Sequence, residues 1–217
     1  MLTDERINRL KTVASNRIQD VVILENIHDP HNAAAALRNC DAFGIQTVHV
    51  IFETEKEFNP EKLGKLTSAS ANKWLNVKTW TSSEACFSFL KKEGFYIVAT
   101  AIDTTAQSFN TFELPKQKTA FVFGNEGFGI TKTAKQMADM LVYLPMCGFV
   151  DSLNLSVTVG IVTHKTATER QKTRECCYTN QEVENLTKQW ISEDEKRRIH
   201  ARNPLEGGDP DDNFQRK

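Results

Sequence analysis

A tight turn followed by three small polar residues is the segment of this chain best suited to bind a ligand. The turn contains Pro145 and Gly148. The polar residues alternate with apolar ones and are Ser152, Asn154 and Ser156. Such side chains cap helices because they bond nearby backbone donors, and the apolar run 157–162 predicts a buried helix after them. Since N–H groups at a helix start attract polar ligands, the segment is a candidate binding site, although most caps only finish helices.

Two further motifs carry an amide, a guanidinium and a carboxylate. The first begins at Asn32 and ends at Arg38, and the second, Gly124–Gly129, contains Glu126. Such groups can orient a hydroxyl or stabilise charge that develops on an oxygen. Each motif has a simpler interpretation when it stands alone. An arginine on an apolar helix usually snorkels or pairs with a carboxylate, and the glycine spacing, which does not fit the dinucleotide fingerprint, predicts only a turn.

Taken together, the three segments resemble the motifs of the SpoU/TrmH branch of the SPOUT superfamily of RNA methyltransferases. The pattern of that branch is N-x-x-x-x-x-R, then G-x-E-x-x-G, then P-M-x-G-x-x-x-S-L-N, and the chain has all three in this order. The resemblance covers roughly residues 15–172. In the segment His28–Gly44 the sequence most resembles the family members that methylate a guanosine of tRNA.

The resemblance implies an enzyme that transfers a methyl group from S-adenosylmethionine to the ribose 2′-hydroxyl of a guanosine in the D-loop of tRNA. The implied catalytic residues are Arg38, Asn32, Glu126, Ser152 and Asn154. The implied pocket for the methyl donor is lined by Thr100, Phe123, Gly124, Leu144, Met146, Ser152 and Leu153. The resemblance also implies a homodimer whose active sites draw on both subunits.

The fate of the hydroxyl proton is left open by the residues themselves. The resemblance implies that Arg38 activates the hydroxyl and that Asn32 orients it. A guanidinium stays protonated far above neutral pH, however, which makes a literal arginine base difficult. An interpretation that is at least as good is that Arg38 holds a phosphate or stabilises the forming alkoxide. A phosphate, water, His28 or His31 would then accept the proton. Glu126 is expected to orient Arg38 or a loop amide.

Two alternative functions remain. The first is the same reaction on ribosomal RNA. Two observations favour tRNA instead: the resemblance in the segment His28–Gly44, and the prediction that residues 1–16 form only one helix and no separate substrate domain. The second is a non-catalytic RNA-binding protein of the same fold. The joint presence of the five implied catalytic residues argues against it, because a pure binder does not need all five.

Alternation of apolar strands with helices predicts an α/β fold with a mostly parallel six-stranded sheet and helices on both faces. The predicted strands are 18–24, 47–52, 77–80, 96–102, 119–123 and 140–144. The second and third motifs follow the carboxyl ends of strands, where such sheets bind ligands. Ordinary topology makes knots improbable; the resemblance alone implies a trefoil knot, threaded through roughly residues 119–165.

Three parts are predicted along the chain: an N-terminal helical extension 1–16, a SPOUT methyltransferase domain 17–172, and a C-terminal helical extension with a tail 173–217. The net charge of −1 requires any RNA contact to be a local basic patch. Candidate RNA contacts, for which a solvated helix face is the commoner interpretation, are Arg6, Arg9, Arg17, Lys196, Arg197 and Arg198.

Composition indicates an ordinary globular protein, with 40% hydrophobic and 25% charged residues. No apolar run approaches the roughly 20 residues of a membrane span, and the charged N-terminus lacks the apolar segment of a secretion signal. Five cysteines at irregular spacing indicate reduced thiols in the cytoplasm. The adjacent Cys176 and Cys177 lack the spacing of zinc ligands, and the pair His28 and His31 lacks a third ligand at a matching spacing. We therefore expect no membrane and no metal partner.

Overall fold

A computed structural model describes residues 2–59 and 73–202, without the side chains of residues 200–202. The chain forms two compact units. The central unit is Asn16–Tyr178, and the terminal unit joins the two chain ends, Met1–Ser15 and Thr179–Lys217. The loosely held tail predicted beyond Asn203 lies outside the described residues.

A single parallel sheet forms the core of the central unit. Its strands in the described part of the chain are β1 (Ile18–Glu25), β2 (Ile45–Ile51), β3 (Asn76–Trp80), β4 (Tyr96–Thr100), β5 (Gln107–Ser108), β6 (Thr119–Phe123) and β7 (Met140–Tyr143). They lie in the order β3-β2-β1-β6-β4-β7-β5, and all neighbours are parallel. The predicted α/β class is confirmed, but the sheet has seven strands rather than six. The additional strand, β5, is two residues long, too short to carry an apolar pattern.

Helices cover both faces of the sheet. In the described residues of the central unit the helices are α2 (Pro30–Ala42), α3 (Ser83–Lys92), α4 (Lys132–Met137) and α5 (Leu155–Thr173). Alternate side chains of a strand point to opposite faces, so Val22 packs with residues of α2 and α5, whereas Val21 packs with residues of α3 and α4. Asp29 caps α2 by accepting a hydrogen bond from the His31 N–H over 2.8 Å, and Pro30 occupies the first turn.

The strand order brings the motif-bearing loops to one edge of the sheet. In the parallel register Leu24 lies opposite Phe123, so the chain leaves β1 and β6 side by side. Strand β4 lies between β6 and β7, and Thr100 pairs with Val142. The carboxyl ends of these four strands are therefore neighbours, and the ligand-binding edge of an open α/β sheet is expected there.

A buried ion pair fastens the far end of α5 to the sheet. The Arg170 side chain is 1% exposed, and its Nε and Nη2 donate to the two carboxylate oxygens of Asp20 in β1, each over 2.9 Å. The same guanidinium donates to the carbonyl oxygens of Pro115 and Gln117, which precede β6. One side chain thus ties three segments that are distant in sequence.

Arg17 is buried, which contradicts its prediction as an RNA contact. It is 1% exposed. Its guanidinium donates to the Asp41 carbonyl over 3.0 Å and to the Asp41 carboxylate over 2.5 Å, at the end of α2. These partners hold the charge inside the central unit, where RNA cannot reach it.

The terminal unit contains the helices α1 (Asp4–Ala14) and α6 (Asn180–Arg202). Arg6 of α1 pairs with Asp194 of α6 over 3.0 Å. Thr179 and Glu182 form a reciprocal capping box at the start of α6, with each backbone N–H bonded to the other side chain.

Candidate active site at the carboxyl edge of the sheet

Side chains of the three motifs meet in a continuous chain of hydrogen bonds. Asn32 at the start of α2 donates from Nδ2 to Glu126 Oε1 over 2.8 Å. Asn154, the residue that caps α5, donates from Nδ2 to Asn32 Oδ1 over 2.9 Å. The Asn154 Oδ1 then accepts from the Ser156 N–H over 2.9 Å. The direction of every bond follows from the ionised Glu126, because a carboxylate only accepts.

Glu126 orients amides rather than Arg38. Its second oxygen, Oε2, accepts from the backbone N–H of His28 over 3.2 Å. The sequence left open whether Glu126 holds Arg38 or an amide, and the geometry gives it two amide donors. Arg38 is exposed and has no ion-pair or hydrogen-bond partner among the described residues. Its guanidinium is therefore available to a substrate.

The loop that carries Glu126 has a fixed backbone. The backbone groups of Asn125 and Gly129 form two reciprocal hydrogen bonds of 2.9 Å each. Asn125 also donates to the Asn26 carbonyl over 2.8 Å, which joins the loop to the end of β1. A side chain at Gly124 would place its Cβ 2.3 Å from the carbonyl carbon of Gly129, so only glycine fits.

Glu25, a buried carboxylate that sequence reasoning missed, closes the other end of this loop. It is fully buried at the end of β1. Its oxygens accept from the N–H and hydroxyl of Thr131 over 2.9 and 2.8 Å and from the Ser83 hydroxyl over 2.6 Å. Thr131 caps α4. The signal available in the sequence was the polar pair Glu25-Asn26 at the end of an apolar strand. In the structure Asn26 is left-handed, with a φ of 53°, a conformation that asparagine tolerates better than most residues.

A second carboxylate orients His28. The His28 Nδ1 lies 2.9 Å from Glu55 Oε2, and the two side chains are 78% and 23% exposed. The hydrogen bond to Glu55 and its negative charge raise the pKa of the His28 imidazole above its ordinary value. Of the two histidines that the sequence left open as a base, His28 therefore has a ring held in one orientation.

Arg38 lines an open groove between α2 and α5. The groove has a volume of about 680 Å³ and is lined by Ala35, Arg38, Asn39, Phe43, Ser156, Val157, Gly160, Ile161, His164 and Lys165. Val157 and Ile161 are 48% and 42% exposed there. Asn39, also missed from sequence, donates to the Ser156 carbonyl over 2.6 Å and so joins the two helices beside Arg38.

The residues predicted to bind the methyl donor lie at or beyond the neighbouring ends of β4, β6 and β7. The Thr100 hydroxyl donates to the Val122 carbonyl over 3.0 Å. Phe123 as a whole is 1% exposed and lies in the core. Leu144 and Met146 are half-buried, while Ser152 and Leu153 are exposed.

The remaining predicted RNA contacts lie on α1 and α6. Arg9, Lys196 and Arg198 are exposed. Arg197 and Arg198 pair with Glu193 and Asp194 one turn earlier, over 3.3 and 3.6 Å. The Arg197–Glu193 pair is partly exposed, whereas Asp194 is buried and also pairs with Arg6.

Within residues 2–59 and 73–202, no three His, Cys, Asp or Glu side chains are grouped so as to hold a metal ion. The helices of the same segments include none that is both long and apolar enough to span a bilayer.

Comparison with known proteins assigns the chain to a family. The model of the SpoU rRNA Methylase family matches residues 19–164. A tRNA (guanosine(18)-2′-O)-methyltransferase of Thermus thermophilus is 35% identical over 173 residues, which cover 78% of this chain and 86% of that protein. The Escherichia coli protein of the same name is 31% identical over 169 residues, which cover 76% and 71%.

The fold agrees with this assignment. The solved structure of the Aquifex aeolicus TrmH/SpoU tRNA modifying enzyme has a TM-score of 0.75 and 26% sequence identity, over 88% of this chain and 97% of that chain. The resemblance inferred from the three motifs is thereby confirmed. The chain belongs to the SpoU rRNA Methylase family.

Proposed function

We propose that this protein transfers a methyl group from S-adenosylmethionine to the ribose 2′-hydroxyl of a guanosine in the D-loop of tRNA. The observation that carries the proposal is the bonded chain from Glu126 through Asn32 to Asn154, which unites three distant motifs beside an exposed Arg38. The relatives from Thermus thermophilus and Escherichia coli are named for this reaction at guanosine 18.

Each polar residue of the site has a role that its geometry supports. The donor supplies an electrophilic methyl carbon on a sulfonium. Arg38 stabilises the negative charge that develops on the ribose oxygen, because a guanidinium stays protonated throughout. The side-chain amides of Asn32 and Asn154 orient the ribose. Glu126 fixes the orientation of these amides, because it accepts a hydrogen bond from Asn32, which in turn accepts one from Asn154. The hydroxyl proton would pass to a phosphate, water, His31 or His28, and of these the His28 ring is hydrogen-bonded to Glu55.

The donor pocket is proposed at the ends of β4, β6 and β7. The residues there suit a cationic sulfonium, since the segments 124–130 and 145–154 contain Glu126 and Asp151 but no lysine or arginine. Thr100, Phe123, Gly124 and Leu144 would hold the nucleoside from the strand ends. Met146, Ser152 and Leu153 would enclose it from the α5 side.

A homodimer is part of the proposal. The half-exposed Val157 and Ile161 would be covered if a second copy packed against the α2–α5 groove. Arg38 lines the same groove, so the partner would contribute to the site. Sedimentation velocity tests this: the wild type should be dimeric, and Ile161→Glu should be monomeric and inactive.

The trefoil knot through roughly residues 119–165 and the cytoplasmic location also stay proposals. The knot rests on the resemblance of the three motifs to the SPOUT superfamily. All five cysteines, which are Cys40, Cys86, Cys147, Cys176 and Cys177, are free thiols, which suits a reducing compartment.

The helices of the terminal unit are proposed to bind the tRNA backbone through Arg6, Arg9, Lys196, Arg197 and Arg198. Neutralising Lys196, Arg197 and Arg198 should weaken tRNA binding and flatten its dependence on salt, because fewer counterions are released. An unchanged salt dependence would limit these charges to solubility.

Mapping of methyl incorporation on transcribed tRNA and ribosomal RNA fragments tests the reaction. A 2′-O-methylguanosine in the tRNA D-loop is expected. If only the ribosomal RNA fragments are modified, the substrate is ribosomal RNA rather than tRNA. If neither RNA is modified, the result favours a non-catalytic RNA-binding protein. Arg38→Ala should abolish methylation while the calorimetric Kd for S-adenosylmethionine changes less than about tenfold. Equal loss of both would reassign Arg38 to donor binding or folding.

A further inference from the structure

Two phenylalanine rings at the carboxyl edge of the sheet lie in solvent. Phe128 is 91% and Phe149 112% exposed, whereas the buried rings are Phe52, Phe87, Phe109, Phe112, Phe121 and Phe123. A phenylalanine side chain gains more from burial than most, so two exposed rings beside a catalytic site call for an occupant. We infer that Phe128 and Phe149 stack on unpaired nucleobases of the RNA substrate, an inference that rests on the proposed function.

The exposure of Phe128 does not result from a loose loop. Its N–H donates to Asn125 Oδ1 over 3.1 Å, and the neighbouring Gly127 N–H donates to the same oxygen over 2.8 Å. The loop is also closed by the reciprocal backbone bonds between Asn125 and Gly129. Glu126, two residues before the ring, holds Asn32. The ring therefore projects from a fixed platform next to the residues that would orient the ribose.

Phe149 is the exposed ring in the loop of the third motif, as Phe128 is in the loop of the second. It lies between Gly148 and the cap residue Asn154, which is bonded to Asn32. The next residue, Val150, is 61% exposed. An exposed apolar stretch thus leads directly into the site.

The charge of both loops favours bases over phosphates as the occupant. Glu126 and Asp151 are exposed, and the segments 124–130 and 145–154 contain no lysine or arginine. A phosphate would be repelled there, whereas the uncharged face of a base can stack on a ring and its amino groups can donate to a carboxylate. RNA-binding proteins recognise loop nucleotides by splaying out unpaired bases and stacking them on aromatic side chains.

A second copy of the chain is the rival occupant. The face proposed for that contact is the α2–α5 groove, whose exposed apolar residues Val157 and Ile161 are aliphatic. The groove is also lined by Phe43 and His164, but neither Phe128 nor Phe149 is among its lining residues. The two loop rings therefore belong to a different surface from the one proposed for the second copy.

The test compares ring removal with ring retention. Phe128→Leu and Phe149→Leu keep apolar bulk but lose the ring, and each should raise Kd and KM for a transcribed tRNA about 5- to 150-fold, which corresponds to about 1–3 kcal/mol per stacked base. Phe128→Trp and Phe149→Trp should bind the transcript within about threefold of wild type. The calorimetric Kd for S-adenosylmethionine should change less than twofold in all four variants. Phe95→Leu, a half-buried ring at the start of β4 on the opposite edge, is the matched control.

Three outcomes would overturn the inference. If the wild type methylates tRNA and both leucine variants bind tRNA with unchanged affinity, the stacking inference is refuted while the proposed function stands. A shift of either variant from dimer to monomer in sedimentation velocity would make the ring a subunit contact. A parallel loss of S-adenosylmethionine binding would make it part of the donor pocket. Failure of the wild type to modify tRNA would instead refute the proposed function.

Discussion

The side chains of Asn154 and Asn32, separated by 122 positions in the chain, meet through a hydrogen bond of 2.9 Å. This contact joins the start of α5 to the start of α2, and the bond from Asn32 to Glu126 extends it to the loop after β6. Each amide can satisfy both neighbours in only one orientation because the last acceptor is a carboxylate. The chain of bonds thus sets the positions of polar groups on three loops at once.

Asn32→Asp should break this chain without a change in size. The new side chain loses the donor to Glu126 and places a second carboxylate about one hydrogen-bond length from the first. We expect kcat to fall about 100-fold or more, as for the loss of one transition-state donor, with little change in the thermal midpoint.

Steady-state methylation of a tRNA transcript and thermal unfolding measure the two effects. The control is Asn110→Asp, the same change at an exposed position in the loop before β6. A kcat within twofold of wild type for Asn32→Asp would show that the amide chain is only structural.

The Arg170–Asp20 pair predicts a large effect on stability. Removal of one partner of a buried ion pair leaves the other charge without compensation, which typically costs about 3–5 kcal/mol. Arg170→Met should lower the free energy of unfolding by about this amount, measured by urea titration. Because Asp20→Asn combined with Arg170→Met removes the stranded charge, the double variant should recover part of the loss. A single variant as stable as wild type would contradict this account.

The sequence predicted those features that depend on residues within a single helix or strand. Continuous apolar runs located β1, β6 and β7, and Pro30, a favoured first helical residue, marks the start of α2. The motif residues Asn32, Glu126 and Asn154 follow strand ends or begin helices, so the parallel order of the sheet was enough to predict their shared edge.

Features that depend on distant partners were not predictable in the same way. Arg17 resembles any exposed arginine in sequence, and its burial depends on Asp41 and Ile45, which lie 24 and 28 residues away. Glu25 ends an apolar strand, and its partners Ser83 and Thr131 follow by 58 and 106 positions. Local patterns carry no information on such pairings.

The His28–Glu55 contact predicts the titration of an exposed histidine. Glu55 raises the pKa of His28, so its imidazolium persists to higher pH than that of an ordinary histidine. In Glu55→Gln the pKa should fall towards about 6.5. Titration of the His28 ring signals by NMR in the wild type and in Glu55→Gln measures both values. Equal pKa values with and without Glu55 would show that the contact does not persist in solution.

His49 predicts an acid-sensitive component of stability. The ring is 1% exposed in β2, and its Nδ1 accepts from Trp80 Nε1 over 2.9 Å. Burial, helped by the positive charge of Lys78, lowers the pKa of His49 to about 4. The folded protein therefore keeps this ring neutral at pH values where an unfolded chain, with a histidine pKa of about 6.5, already binds the proton.

The sign of the effect follows from proton linkage. The stabilisation is fully present above about pH 6.5 and is lost as the pH falls towards 4, because only the unfolded state takes up the proton in that range. A pKa difference of this size corresponds to about 3 kcal/mol. Urea titrations at several pH values should show a shallower loss of stability in His49→Gln, which keeps an acceptor but does not titrate. An identical slope in His49→Gln would assign the acid sensitivity to other groups.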